Sequence, residues 1–192
     1  MAFKEPNFIH VLLMKLAGDV LARSVYKKRI ESLNFRGNER VLDFGSGPGV
    51  AAKFIAQKLQ KGNGKLTCVD MSKIWMKKIK KKLSNFSNVD FKQGDISELK
   101  IDTGSYDVIF INFVLHDIEK NIRQRIVNSL SCALKKTGTL YIKEPTRRSH
   151  GMPVEDIRTL MTIGGLEEKH FTTDKSFAGP PGLKYSGEYS KL

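Results

Sequence analysis

A glycine-rich segment with a carboxylate in front of it is the part of this sequence whose residue types and spacing point most clearly to chemistry. Asp43 lies two residues before Gly45-Ser46-Gly47-Pro48-Gly49, which has the pattern G-x-G-x-G. Glycines let a backbone turn tightly and approach a ligand, and a helix that begins here offers free N–H groups. Dinucleotide binders have the different spacing G-x-G-x-x-G, and Asp43 would repel a pyrophosphate. The segment therefore argues against a nicotinamide dehydrogenase and favours a cationic ligand.

Two further carboxylates each come at or shortly after the end of a later apolar run. Asp70 is placed to accept hydrogen bonds from ribose hydroxyls, with Met71 beside it as an apolar cover, and Asp95 could accept from an exocyclic amine. Three carboxylates in a chain of net charge +13 suit a ligand with an ammonium group, a sulfonium, a ribose and an adenine. Five residues also have a structural alternative, as a cap, turn or core residue: Asp43, Asp70, Met71, Asp95 and Ile96.

These side chains need a fold that brings the ends of several strands together. From residue 40 onwards, short apolar runs alternate with helical patterns, which predicts parallel strands joined by right-handed crossovers. Ligands of such a sheet bind beyond the carboxyl ends of its strands. The predicted strands are Arg40–Phe44, Lys65–Val69, Val89–Lys92, Tyr106–Phe113 and Thr139–Glu144. The predicted helices between and after them are Val50–Leu59, Ser72–Leu83, Ile118–Leu134 and Val154–Ile163.

The two ends of the chain differ from this alternating middle. Residues 1–36 show two apolar helical stripes, and we expect a helical segment there, followed by a core over residues 38–192. At the other end, Leu166–Thr173 and Leu183–Tyr189 alternate in polarity around the turn signal of Gly179–Gly182. Those two strands should pair antiparallel at one edge of the sheet. With no linker in between, the sequence predicts a single domain over residues 1–192.

Four segments resemble, in order and spacing, the motifs of the class I S-adenosylmethionine (SAM)-dependent methyltransferases: Val41–Gly49, Val69–Ser72, Gly94–Asp95 and Asp107–Phe113. The resemblance runs from about residue 38 to the C-terminus and is closest to the small-molecule branch, which includes the ubiquinone-biosynthesis type. It implies a Rossmann-like α/β fold, a doubly wound seven-stranded sheet with helices on both faces. The strand order would be 3-2-1-4-5-7-6, mostly parallel with an antiparallel last strand, and the N-terminal helices would form a lid.

The same resemblance implies cofactor-binding roles for the residues at the strand ends. The methionine part of SAM, or of the product S-adenosylhomocysteine, would lie against the first loop, formed by Asp43, Gly45, Ser46, Gly47 and Gly49. The ribose and adenine would contact the residues that follow the second and third strands: Asp70, Met71, Asp95 and Ile96. The residues at the end of the fourth strand would face the sulfonium: Asn112 and Phe113.

The identity of the methyl acceptor is less well marked. The segment after the fourth strand lacks the Asn/Asp-Pro-Pro-Tyr/Phe motif of nucleic-acid amino methylases, which favours O- or C-methylation of a small molecule by in-line transfer. His116 followed by Asp117 resembles the pair of plant-type O-methyltransferases, in which the histidine is the base. In the alternative, His116 is structural and Asp117 caps the next helix. A basic loop could hold an acidic substrate group or be merely solvated: Arg147, Arg148 and His150. The sequence predicts no metal site.

Composition leaves two other functions open. An RNA methyltransferase would use the positive charge, concentrated in the run Lys73–Lys82, although a solvated helix face explains that run better. A cofactor-binding subunit without catalytic activity is the second alternative. No stretch is long and apolar enough to span a membrane, and no signal peptide is evident.

Localisation and cysteine chemistry follow from small features. We predict a cytoplasmic protein in which Cys68 and Cys132 are buried free thiols. The terminal Ser190-Lys191-Leu192 matches a peroxisomal address, but it also ends the last predicted strand, and we interpret it as coincidence.

Overall fold

The boundaries of the secondary structure follow the apolar runs of the sequence closely. The computed structural model describes residue 5 and residues 23–33, 35–147, 150–175 and 180–192. Most of the predicted N-terminal helical lid, Arg148 and the first residue of the predicted turn at Gly179 lie outside the described residues. The chain divides into two compact units, Met1–Asp95 and Ile96–Leu192. That the whole chain acts as one domain stays a prediction.

The first unit contains three strands and three described helices. In chain order, these are α1 (Arg23–Ser32), β1 (Arg40–Phe44), α2 (Val50–Gln60), β2 (Lys65–Asp70), α3 (Lys73–Lys82) and β3 (Val89–Gln93). β1 pairs parallel with β2, and β2 pairs parallel with β3. After their first residue, β1 and β2 are buried along their whole length, as expected for strands covered on both faces.

The second unit begins with a parallel pair and ends in an antiparallel one. Its elements are β4 (Tyr106–Asn112), a short 3-10 turn (Leu115–Asp117), α4 (Lys120–Ala133), β5 (Leu134–Pro145), α5 (Val154–Ile163), β6 (Leu166–Asp174) and β7 (Lys184–Lys191). β4 and β5 are parallel, whereas β7 pairs antiparallel with both β5 and β6. The strand order is β3-β2-β1-β4-β5-β7-β6, which confirms the predicted order and the antiparallel last strand.

β5 begins earlier than predicted. It starts at Leu134, directly after α4, and its pairing with β4 shifts register between Tyr106 and Val108. The residues after Leu134 are Lys135, Lys136 and Thr137, whose side chains are not buried. They therefore lack the apolar signal from which a strand can be recognised.

The prediction of two buried cysteines is wrong for Cys132. Both thiols are free, but only Cys68 is buried, and Cys132 is exposed. α4 buries Ile126, Leu130 and Ala133, which follow one another at helical spacing. Cys132 lies two residues after Leu130 and therefore points to the opposite side of the helix.

α3 has the distribution of a surface helix. Trp75, Met76 and Ile79 are buried, whereas Lys73, Lys77, Lys80 and Lys81 are exposed. This distribution agrees with the interpretation of the lysine run as a solvated face. Among the described residues, none of the helices is long and apolar enough to cross a bilayer.

Candidate functional site

The loop between β1 and α2 is a tight turn that depends on its glycines. Gly45, Gly47 and Gly49 all have positive φ values, of 68°, 50° and 73°. A Cβ on Gly49 would lie 2.6 Å from Cγ1 of Ile79. The loop is tied to β2, because the N–H groups of Gly45 and Ser46 both donate to the carbonyl of Val69, at 2.8 and 3.1 Å. The predicted glycine turn before a helix is therefore present.

Asp43 is a buried carboxylate beside this loop. The residue is 3% exposed, and its Oδ2 has no hydrogen-bond partner among the described residues. Burial raises the pKa of Asp43 to about 7, the charge of Asp70 adds to this rise, and Ser46 opposes it. A buried carboxylate oxygen without a partner is costly. A cationic group brought next to Asp43 would remove that cost.

Asp70 joins the end of β2 to the glycine loop. Its Oδ2 accepts from the N–H of Gly47 at 2.7 Å, and its Oδ1 accepts from the N–H of Ser72 at 2.8 Å. Burial raises the pKa of Asp70, and these two hydrogen bonds oppose the rise. Asp70 is not the helix cap, since Ser72 precedes α3 and its Oγ accepts from Trp75 N–H at 3.1 Å. Each carboxylate oxygen keeps a second lone pair for a ligand hydroxyl.

The residues predicted to contact adenine differ in exposure. Met71 is 40% exposed, which excludes its alternative as a core residue, whereas Ile96 is buried and agrees with that alternative. Gly94 N–H donates to the carbonyl of Asp70 at 3.1 Å, so the Gly94–Asp95 turn is fixed to the end of β2. Since β1, β2 and β3 are parallel, the structure brings Asp43, Asp70 and Asp95 to the same edge of the first unit.

One described N-terminal residue reaches this edge. Oε2 of Glu5 accepts from Ser72 Oγ at 2.5 Å, and its Oε1 accepts from Lys73 N–H at 2.7 Å. Glu5 also contributes to the raised pKa of Asp70. The sequence contained no signal for this contact. It places Glu5 at the first turn of α3, close to Asp70, the residue predicted to bind the ribose hydroxyls.

In the second unit, β4 ends in an unusual backbone turn. Asn112 is half-buried, and Phe113 has a φ of +61°, which is uncommon for a residue other than glycine. The N–H of Phe113 donates to the carbonyl of Lys143 on β5 at 2.8 Å. Residues held in such conformations concentrate at functional sites. The turn directs the chain into the 3-10 segment that carries His116.

His116 is held by Glu144, a residue that the sequence reasoning missed. Nδ1 of His116 lies 2.6 Å from Oε2 of Glu144, and the His116 side chain is 2% exposed. Oε1 of Glu144 accepts from the N–H groups of Val114 and Leu115, at 2.9 and 2.8 Å. Burial by itself lowers the pKa of His116, but Glu144 outweighs it and the pKa is raised. Glu144 ends the predicted fifth strand, Thr139–Glu144, and the rule that singled out Asp70 would have found it.

Arg123 is a second residue that the sequence reasoning missed. It is buried on α4, its Nε donates to Ile118 O at 2.8 Å, and its Nη2 donates to His116 O at 3.0 Å. Asp117 does not cap the next helix, since α4 follows Glu119 and has no side-chain cap. Oδ1 of Asp117 instead lies 3.4 Å from Nε2 of His116.

Only part of the basic loop after β5 lies near His116. The ring of His150 meets that of His116 edge to face, with centroids 4.9 Å apart. Arg147 is exposed and lies beside Gly182, because a Cβ on that glycine would be 2.8 Å from Arg147 Cδ. Arg148 lies outside the described residues. His150 is therefore the loop residue that the structure joins to the predicted catalytic histidine.

Comparison with known proteins identifies the family. Residues 41–138, about half of the chain, match the methyltransferase domain family. The ubiquinone/menaquinone biosynthesis C-methyltransferase UbiE of Campylobacter jejuni is 24% identical over 167 residues, which cover 82% of this chain and 69% of that protein. A carboxy-S-adenosyl-L-methionine synthase of Colwellia psychrerythraea is 29% identical over 138 residues, or 66% of this chain and 55% of that protein.

A solved structure has the same fold. A SAM-dependent methyltransferase of Aquifex aeolicus superposes with a TM-score of 0.75 at 15% sequence identity, covering 95% of this chain and 98% of that one. The family match covers the glycine loop, the ends of β2, β3 and β4, and the segment of His116. The chain therefore belongs to the methyltransferase domain family and is a class I SAM-dependent methyltransferase.

Proposed function

We propose that this methyltransferase transfers the methyl group of SAM to a hydroxylated small molecule, at oxygen or at a ring carbon. The observation that most directly supports SAM as the cofactor is the state of the Asp43 carboxylate. Its buried carboxylate oxygen lacks a partner among the described residues, beside a loop of the kind that approaches ligands closely. The ammonium group of SAM is a partner that Asp43 can accept, whereas a phosphate would be repelled.

We assign the cofactor contacts of the first unit as follows. The backbone of Gly45–Gly49 lies along the methionine part, and Asp43 takes its amine. Asp70 uses its remaining lone pairs for the ribose hydroxyls, and the exposed Met71 covers one face of the adenine. Asp95 accepts from the adenine amino group. Calorimetric titration of the protein with SAM tests this assignment. We expect saturable binding at one site, and an absence of binding would contradict the proposal.

We assign His116 as the general base that removes a proton from the methyl acceptor. Glu144 accepts as a carboxylate through both oxygens, so its bond to His116 places the proton on Nδ1 and leaves the lone pair on Nε2. Removing the proton of an aromatic hydroxyl makes both its oxygen and the neighbouring ring carbons nucleophilic. The relative UbiE, a C-methyltransferase of quinone biosynthesis by name, supports an acceptor of this class. Asn112, Phe113, Arg147, Arg148 and His150 remain assigned to cofactor or acceptor contacts.

The substitution His116→Asn separates a chemical role from a structural one. The asparagine amide can donate to Glu144 as Nδ1 does, but it has no basic nitrogen. We expect methyl transfer to fall by about 10²–10⁴-fold, the usual contribution of a general base, while SAM affinity stays within about twofold. Transfer is measured with a radiolabelled methyl group against a panel of phenols. Unchanged turnover would remove His116 from the mechanism.

A further inference from the structure

Three side chains of metal-ligating type lie together in the second unit. His116, Asp117 and His150 each offer one ligand atom, and these atoms all lie within 4.8 Å of one another. Nε2 of His116 and Oδ1 of Asp117 are 3.4 Å apart. Two atoms that bind one tetrahedral ion at ~2.0–2.1 Å lie about 3.4 Å from each other. This pair therefore already has the separation of two ligands of one ion.

Glu144 prepares His116 for such a role. A histidine that binds a metal usually donates its other ring N–H to a carboxylate, which fixes the tautomer and the direction of the ring. Here Nδ1 lies 2.6 Å from Oε2 of Glu144, whose carboxylate is completely buried and also holds two backbone N–H groups. The free lone pair of His116 is thereby on Nε2. That is the atom next to Asp117.

The other two side chains are accessible and adjustable. The side chain of Asp117 is 65% exposed, and His150 is also exposed. An ion can therefore reach the cluster from solvent, and a rotation of His150 can bring its ring nitrogen into the coordination sphere. Neither the entry of an ion nor the rotation of His150 requires His116 to move, and Glu144 holds His116 in place.

We propose that His116, Asp117 and His150 form a binding site for one divalent transition-metal ion, with Glu144 orienting His116. Two imidazoles with one carboxylate favour zinc, iron(II), cobalt(II) or manganese(II) over calcium and magnesium, which prefer oxygen ligands. Three protein ligands leave at least one position for water or for an oxygen atom of a bound molecule. This site goes beyond the proposed methyl transfer, because its formation requires neither SAM nor an acceptor.

A simple ion pair is the competing explanation of the short distance between His116 and Asp117. The two explanations differ in His150, which contributes nothing to an ion pair but is a ligand of a metal site. They also differ in stoichiometry, since only the metal site binds one ion per chain. The lone pair on Nε2 of His116 can bind a proton or a metal ion, but not both at once. Because the proposed methyl transfer would place the acceptor's proton on this atom, metal binding is measured without cofactor and acceptor.

Titration of the tag-free chain of residues 1–192 with cobalt(II) tests the proposal, with visible absorption as the measurement. We expect saturation at one equivalent, with bands that report imidazole ligands. His150→Ala and Asp117→Asn should each weaken binding by at least about tenfold. His170→Ala is the matched control, since His170 is exposed on β6 and lies outside the cluster, and it should bind cobalt as the unchanged protein does. Circular dichroism verifies that each variant is folded.

A fourth variant tests the orienting residue. Glu144→Gln keeps an oxygen for the N–H groups of Val114 and Leu115 but no longer holds His116 with a carboxylate, and we expect affinity to fall by roughly 10–100-fold. The absence of saturable cobalt binding would overturn the proposal. So would equal affinities of His150→Ala and the unchanged protein, which would leave the ion pair as the explanation.

Discussion

Whether the Asp43 carboxyl group is ionised depends on the groups that lie next to it. Burial raises its pKa from the ordinary 3.8 to about 7, so Asp43 is partly protonated in the unliganded protein at neutral pH. Binding of the SAM ammonium group would favour the ionised form and lower this pKa. By linkage, the cofactor should then bind more tightly as Asp43 loses its proton.

The pH dependence of SAM affinity tests this linkage. We expect the affinity to increase as the pH rises to about 7 and to level off above it, because Asp43 is then ionised before SAM arrives. Asp43→Asn should bind SAM at least about tenfold more weakly above pH 7, since it loses a charge-assisted hydrogen bond, and should lose this pH dependence. Asp90→Asn changes an exposed carboxylate on β3 and serves as the control in calorimetric titrations. A pH dependence retained by Asp43→Asn would assign it to another group.

The stability of the unliganded protein should change in the opposite direction. A carboxyl group whose pKa is raised by folding favours its protonated form in the native state, so stability falls as the pH rises from about 4 through about 7. Asp43→Asn should therefore be more stable than the unchanged protein at pH 8 and similar to it at pH 4. The gain at pH 8 should be on the order of 2–4 kcal/mol, measured by urea unfolding.

Among the elements, the junction of β1 and α2 is the most tightly constrained. Gly49 has a φ of 73° at the start of α2, and a Cβ there would clash with Ile79 of α3. The loop is thus fixed by its own conformation and by the helix packed against it. Asp43 and Asp70 lie buried beside this fixed loop.

Gly49→Ala should therefore cost more than backbone strain alone. We expect about 2–4 kcal/mol of stability to be lost, from the left-handed conformation together with the overlap at Ile79. Gly104→Ala is a matched control, because Gly104 also has a positive φ but no atom within 4 Å of a Cβ, and it should lose only about 1 kcal/mol. In an Ile79→Ala background, Gly49→Ala should cost less than it does alone, because most of the overlap is gone, and thermal unfolding of the two single variants and the double variant measures this difference. Equal losses at the two glycines would contradict the packing argument.

Local patterns predicted most elements, whereas contacts between distant residues could not be predicted. The apolar runs located the strands to within one or two residues, except at β5, whose polar beginning has no apolar signal. The glycine loop and Asp70 could be found because each lies at the end of a strand that an apolar run marks. The pair of His116 and Glu144 spans 28 residues, and the approach of His150 to His116 spans 34. A single sequence contains no information that joins such residues.

For the whole molecule, a net charge of +13 coexists with a predicted cofactor-binding edge that contains three carboxylates: Asp43, Asp70 and Asp95. The lysines of α3 that account for part of this charge are mostly exposed, and the residues beneath them form the apolar contact. This part of the positive charge therefore lies on the surface, while the predicted cofactor contacts of the first unit are acidic. This contrast favours a cationic cofactor and leaves nucleic acid as the weaker alternative.

Cofactor binding should be visible in the thermal stability of the whole chain. A ligand that binds only the native state stabilises it by about 2.7 kcal/mol at a hundred times its Kd. For a chain of 192 residues, this corresponds to an increase in Tm of roughly 5–11 °C. Differential scanning calorimetry with SAM, and with ATP as a phosphate-bearing control, measures the difference. An equal shift with ATP would contradict a site selective for a cation.

The exposure of Cys132 gives this protein a single point for chemical attachment. Cys68 is buried, and burial raises the pKa of its thiol well above the usual value, so it should not compete for a thiol-reactive dye. A dye attached at Cys132 would report from α4, the helix whose Arg123 holds the His116 turn. Titration with a chromogenic disulfide should count one reactive thiol in the native protein and two after denaturation. Addition of SAM or a metal ion could then be followed by fluorescence without introducing a mutation.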